Sequence, residues 1–191
     1  MKKSVIFFSI FIILIISGFS IFFFLRNRSV KNEEKKIGDI RLTTSMHLSS
    51  PAFSHNQSIP QKYTCDGENI NPPLEIRDIP ENSQSLVLIV DDPDAPRGTW
   101  VHWTIWNISP HIKEIKEGVR PDGVEGLTSF GKPGYGGPCP PIGTHRYFFK
   151  IFALDTTLDF PDNTSATKIE DAMTGHILDT TELIGLYNRS K

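Results

Sequence analysis

A mainly β domain, built as a sandwich with helix near its carboxy terminus and preceded by one hydrophobic span, is the architecture this sequence predicts. Three observations carry the prediction. Glycine and proline, 14 of each in 191 residues, punctuate the chain too often for long helices. Three segments, Leu86–Val90, Trp100–Ile108 and Arg146–Leu154, have the length and the apolar or β-branched content of strands. An apolar run from Val5 to Leu25 stands apart from them at the amino terminus.

That run is interrupted only by Ser9, Ser17, Gly18 and Ser20. At 1.5 Å per residue its 21 residues would span roughly 30 Å, the thickness of a bilayer core. No small-residue cleavage site precedes Arg26 and no cysteine lies nearby for a lipid anchor, so an uncleaved anchor or signal is expected over residues 1–25. Residues 26–39 are dense in charge and nearly free of large apolar side chains, as a solvated linker is. Lys2 and Lys3 on one side face Arg26, Arg28 and Lys31 on the other, so charge alone does not orient the span. The signal-like placement favours an extracytoplasmic domain over residues 40–191.

Within that domain Ile40, Leu42 and Thr44 alternate with polar residues as in an opening strand. Short segments follow, divided by Pro51, Pro60, Gly67, Pro72, Pro73 and Pro80. Leu86–Val90 is apolar throughout, as in a strand covered on both faces, and it stops at Asp91-Asp92-Pro93-Asp94-Ala95-Pro96. In Trp100–Ile108, strict alternation puts His102, Thr104 and Trp106 on one face, with Val101, Trp103 and Ile105 on the other. The tryptophans are expected in the core. Residues 109–144 read as loop, glycine-rich at 131–138. Only the tail shows helical spacing: Thr167 and Glu170 stand as in a capping box, with Ile169, Ala172, Met173 and Ile177 behind them. One or two carboxy-terminal helices are expected.

Composition excludes several classes of protein. Overall, 38% hydrophobic and 22% charged residues exclude wholesale disorder. The net charge of −2 becomes −6 once the four cations and no acids of residues 1–28 are set aside, so nucleic acid is not an expected partner. Two cysteines are too few for a disulfide scaffold or an all-cysteine zinc site. No Gly-x-Ser-x-Gly elbow occurs, and Gly131-Lys132-Pro133 is no phosphate loop because neither Ser nor Thr follows the lysine.

Polar groups concentrate at the strand ends: Asp92 and Asp94, His102, and the segment Pro140–Tyr147 with Pro141 and His145. Histidines there can donate hydrogen bonds and, as cations, attract phosphate. Backbone N–H groups around Gly134–Gly137 can add an anion-binding concavity. Two carboxylates beside such a site argue for a ligand that also carries a positive group. The plainer readings are an Asp that caps the turn before Pro and a strand histidine that is structural. An Asp-x-Asp with two histidines also admits a divalent metal and a hydrolase, although the spacing fits no strong metal signature.

Taken in order, several motifs resemble the phosphatidylethanolamine-binding protein family, in its bacterial Raf-kinase-inhibitor-like (YbhB/YbcL-type) branch. They are Ser50-Pro51-Ala52-Phe53, Tyr63-Thr64-Cys65-Asp66-Gly67-Glu68-Asn69, Asn71-Pro72-Pro73-Leu74, Asp91–Pro96, Trp100-Val101-His102-Trp103, the Gly131–Pro141 loop and Gly143-Thr144-His145-Arg146-Tyr147. The tail from Ala166 through Leu178 is similar as well, and the resemblance covers about residues 41–189. It implies an antiparallel β-sandwich with peripheral helices and a small anion pocket formed by Asp92, Asp94, His102, Pro141 and His145, with Gly136 and Gly137 on the rim. It also implies a non-enzymatic binding or regulatory protein without a cofactor, for phosphorylated, zwitterionic or phospholipid-headgroup ligands. Some members inhibit kinases or proteases through a protein partner. The apolar amino-terminal segment departs from the usual bacterial pattern, and no helix of the kind that gates the pocket in animal members is identifiable. The sequence leaves open a homodimer and a Cys65–Cys139 disulfide, whose enclosed loop would stabilise by about 4 kcal/mol if it forms.

Overall fold

The computed structural model describes residues 45–189. The apolar run, the charged linker and the expected opening strand at 40–44 lie outside the described residues. Two sheets form the domain. The smaller has the order β1-β3-β6, from β1 (His47–Ser49), β3 (Leu74–Arg77) and β6 (Glu114–Ile115). The larger has six strands in the order β2-β9-β8-β4-β5-β7. These are β2 (Gln57–Ser58), β4 (Ser85–Asp92), β5 (Trp100–Ile108), β7 (Val124–Glu125), β8 (Thr144–Leu154) and β9 (Ile177–Asn188). All pairings are antiparallel except β2 with β9.

The unbroken apolar run of β4 is explained by its surroundings. Leu86, Leu88 and Val90 pack with Leu48, Leu74, Ile76 and Ile115 of the smaller sheet, forming the sandwich core. Val87 and Ile89 face the other way, towards Trp106, Ile169 and Met173. Covering both faces takes nearly every side chain of the strand out of water, at roughly 1.5–3 kcal/mol for each large aliphatic group. Ile169 and Met173 belong to helix α1 (Ala166–Met173), the one α-helix among the described residues.

Three expectations need correction. The cap of α1 is Ser165, whose hydroxyl accepts from the Lys168 N–H; Thr167 lies inside the helix. Gly175, at φ 85°, turns the chain, and Ile177 then opens β9 instead of a further helical turn. In β5 the alternation is broken. Val90 pairs with Trp103 and Asp91 with Val101, so His102 is an extra residue in a β-bulge. Its ring packs edge-on against Tyr147 at a centroid distance of 5.2 Å, and Tyr147 shares a cluster with Trp103, not with Trp106. Among the described residues no helix is long and apolar enough to cross a membrane.

Candidate functional site

A cavity of about 400 Å³ opens at the end of the larger sheet where β4 finishes and β5 and β8 begin. Asp92, His102 and Tyr147 are its polar strand residues. Ala95, Pro96 and Arg97 enter from the β4–β5 turn, and Phe130, Cys139 and Pro141 from the glycine-rich loop, beside Trp100. Trp100 therefore lines the cavity, whereas Trp103 and Trp106 are in the core as expected. A larger, more open groove of about 1050 Å³ runs along β3 and β6. It holds none of the expected residues and lacks the enclosing aromatic walls that would desolvate a small ligand.

The bulge explains how His102 reaches this cavity from a strand whose following side chains Trp103, Ile105 and Trp106 fill the core. Its Nδ1 donates to the Gly136 carbonyl at 2.6 Å, and the Gly136 N–H returns a bond to the His102 carbonyl at 3.0 Å. With the proton fixed on Nδ1, Nε2 of the neutral ring is an acceptor. Burial pushes the His102 pKa below the usual imidazole value, ahead of the opposing hydrogen bond from Gly136. Phe130 closes against this ring at 5.5 Å and against Trp100 at 5.4 Å, both edge-on.

Asp92 and His145 form a buried pair, Nδ1 to Oδ2 at 2.7 Å, with side chains 5% and 8% exposed. The other oxygen of Asp92 accepts the Asp94 N–H at 2.9 Å. Asp92 thus both caps its turn and orients His145, with each oxygen already accepting one hydrogen bond. Asp94 stands outside the cavity lining. Arg146 engages both its oxygens, at 2.7 and 2.9 Å, and these bonds hold its pKa down at about 2. His145 supports the cavity from behind Asp92 rather than lining it.

Of the expected residues the structure therefore brings Asp92, His102 and Pro141 to the cavity wall. Gly136 and Gly137 are not on its lining, and their N–H groups are spent internally, on the His102 carbonyl and on Asn69 Oδ1. The expected backbone concavity at these two glycines does not form, because the loop uses them to pack. A Cβ on Gly137 would come within 2.5 Å of the Tyr63 carbonyl oxygen. Lining residues without an assigned role in the sequence include Arg97, Phe130 and Tyr147. Tyr147 stands within a recognised motif, but Arg97 carries no signal beyond its place after Ala95-Pro96. The hydroxyl of Tyr147 is buried and its O–H finds no acceptor; burial raises its pKa well above the phenol value, against a lowering hydrogen bond from the Cys139 backbone N–H to its oxygen. Among the described residues no three His, Cys, Asp or Glu side chains converge as a metal site would need. Cys65 and Cys139 are bonded, with Cα atoms 5.4 Å apart.

Fold and site together define a two-sheet β-sandwich with a small, aromatic-walled cavity at the strand ends. Residues 49–188 match the profile of the phosphatidylethanolamine-binding protein family, and the chain belongs to that family. A UPF0098 protein of Pyrococcus horikoshii is 49% identical over 150 residues, covering 73% of this chain and 75% of its own. A UPF0098 protein of Methanothermobacter thermautotrophicus is likewise 49% identical, across 75% of this chain and 99% of its own. Among solved structures, a phosphatidylethanolamine-binding protein homolog from Chlamydia trachomatis superposes with a TM-score of 0.74 at 43% identity, covering 76% of this chain and 99% of that one. YbcL of Escherichia coli, described as a member of the mammalian family, gives 0.72 at 28% identity, covering 77% and 100%.

Proposed function

We propose that the chain is a non-enzymatic binding protein whose cavity takes the phosphoryl group of a small phosphorylated or phospholipid-headgroup ligand, reversibly and without covalent chemistry. The observation that carries this reading is the Tyr147 hydroxyl. A buried donor without an internal acceptor costs about 1–3 kcal/mol, and Tyr147 is among the residues lining a cavity of about 400 Å³. A phosphoryl oxygen would satisfy it. The name of the Chlamydia relative supports the ligand class. The Cys65–Cys139 disulfide supports an oxidising, extracytoplasmic location behind a single-pass anchor at residues 5–25.

The test is a titration of residues 40–191 with phosphoethanolamine, following histidine ring signals by NMR. The Chlamydia and Escherichia chains are matched almost throughout by this part, which supports its folding alone. Saturable shifts at His102 and His145 are expected in wild type, with the His102 shift lost in Asp92→Asn and His145→Ala, and affinity in the micromolar to millimolar range. Unmoved rings at millimolar ligand would end the reading. A second reading, a kinase or protease inhibitor acting through a protein partner, is favoured by Ile142 beside Pro141, 83% exposed, and by Phe130, 42% exposed. Release of inorganic phosphate from the ligand on adding a divalent metal would instead point to hydrolysis.

A further inference from the structure

We propose that Arg97, rather than the histidines, meets the ligand's negative charge, and that the site thereby selects phosphate monoesters in their dianionic form. The inference rests on the phosphoryl-binding reading above and goes beyond it by naming the charge-selecting residue and the ligand's ionisation state.

The charged and titratable groups around the cavity are Asp92 on β4, His102 on β5, His145 and Tyr147 on β8, and the Asp94–Arg146 pair beside them. Nearly all are committed elsewhere. Asp92 is held by His145 and by the Asp94 N–H. Arg146 is held by both oxygens of Asp94, and Lys150, further along β8, by Asp91 at 2.7 Å. His102 spends its Nδ1 proton on Gly136 and is driven towards the neutral ring by burial, so it offers an acceptor and no charge. Tyr147 offers one neutral donor.

Arg97 is different. It lines the cavity and, among the described residues, makes no ion pair. A tight turn presents it there: the Gly98 N–H donates to the Ala95 carbonyl at 3.2 Å, and Gly98 takes φ 99°, which a side chain would resist. A guanidinium fork matches two phosphoryl oxygens at once, and it stays charged at every physiological pH. Trp100 and Phe130, edge-on to each other, form the aromatic side of the same cavity.

The sign of the pH dependence separates this from a histidine-cation site. A phosphate monoester acquires its second charge near pH 6. Binding led by Arg97 therefore strengthens as pH rises from about 5.5 to 7.5 and is level above that. Binding led by protonated histidine weakens across the same interval.

The experiment is calorimetric titration of the full chain in dodecyl maltoside, a detergent without phosphate. Phosphoethanolamine, inorganic phosphate, ethanolamine and the diester glycerophosphoethanolamine are compared for wild type, Arg97→Gln and Arg97→Lys across that pH range. Both monoanion-to-dianion probes should bind wild type with affinity rising with pH. Arg97→Gln should weaken them roughly tenfold or more and flatten the rise, with Arg97→Lys recovering part of each. Melting temperatures should be unchanged, since the side chain is exposed and unpaired. Wild-type affinity and pH profile in Arg97→Gln would overturn the assignment while leaving the phosphoryl site standing. Equal affinity for the diester would identify a lipid headgroup and overturn the monoester selectivity. If no phosphate compound binds wild type, or ethanolamine alone does, the reading of the cavity fails and this inference fails with it.

Discussion

Tyr147 keeps a hydroxyl buried without an internal acceptor, so folding and binding make opposite demands on one atom. Its ring is fully buried beside His102, and Phe preserves that packing. Tyr147→Phe therefore removes the orphaned donor together with the oxygen beside the Cys139 backbone N–H. Urea denaturation of the variant is expected to give a midpoint equal to or above wild type, because the desolvation cost of an unpaired hydroxyl, about 1–3 kcal/mol, disappears. Its affinity for phosphoethanolamine should fall roughly tenfold, the contribution of one hydrogen bond to a charged acceptor. A variant that unfolds more easily yet binds normally would show that the hydroxyl serves the core. His102, His145 and Asp92 were visible in the sequence because their residue types are unusual at strand ends. What each does was not visible: that Asp92 serves His145 and Asp94 serves Arg146 depends on which oxygens face which nitrogens.

Strands differ in how plainly they announce themselves, and the reason is burial. β4 and β5 are largely buried, so the apolar run of β4 and the dense aromatic and β-branched content of β5 let both strands be read from sequence, β5 to the residue. β9 is as central to the sheet's hydrogen bonding, pairing with β8 from Thr144 to Leu154, but its apolar side chains are broken by the polar run Asp179–Glu182 and are mostly only partly covered. Leu183 and Gly185 are its two fully buried positions, too few for a period to show. The bulge at His102 was hidden for a related reason, since pairing is decided by the neighbouring strand. Gly185 is where β9 meets its closest packing: a Cβ there would lie 2.4 Å from Ile59 Cγ1 and 2.8 Å from Phe53 Cε2. Gly185→Ala is expected to cost about 1–3 kcal/mol as overpacking, read as a lower thermal midpoint. Because Gly185 stands opposite Tyr147 in register, phosphoethanolamine binding should weaken with it. An unchanged midpoint would mean that the β2 segment yields freely.

At the scale of the whole domain, the site is assembled from segments far apart in sequence, and the glycine-rich loop must be fixed to the body for a cavity to persist. Several contacts do this. The Cys65 N–H donates to the Pro138 carbonyl at 3.1 Å, Tyr135 Oη to the Tyr63 carbonyl at 2.9 Å, and the Gly137 N–H to Asn69 Oδ1 at 2.7 Å. Asp66 joins the same region to the chain's end through Tyr187 and Arg189. The disulfide adds a covalent tie across 74 residues of sequence. The sequence could not settle whether the two cysteines meet, because only the folded loop brings their Cα atoms within bonding range. Its two effects separate cleanly. Closing a loop of that length stabilises the fold by about 4 kcal/mol through the unfolded chain, whereas the loop's folded position is already held by the other contacts. Cys65→Ser/Cys139→Ser should thus melt roughly 8–16 °C lower than wild type. It should still bind phosphoethanolamine within a few-fold of wild type at a temperature where it is folded. Calorimetric melting and titration of the same sample check both halves. An unmoved midpoint would remove the entropic role, and a lost ligand response in folded protein would make the disulfide the cavity's own clamp.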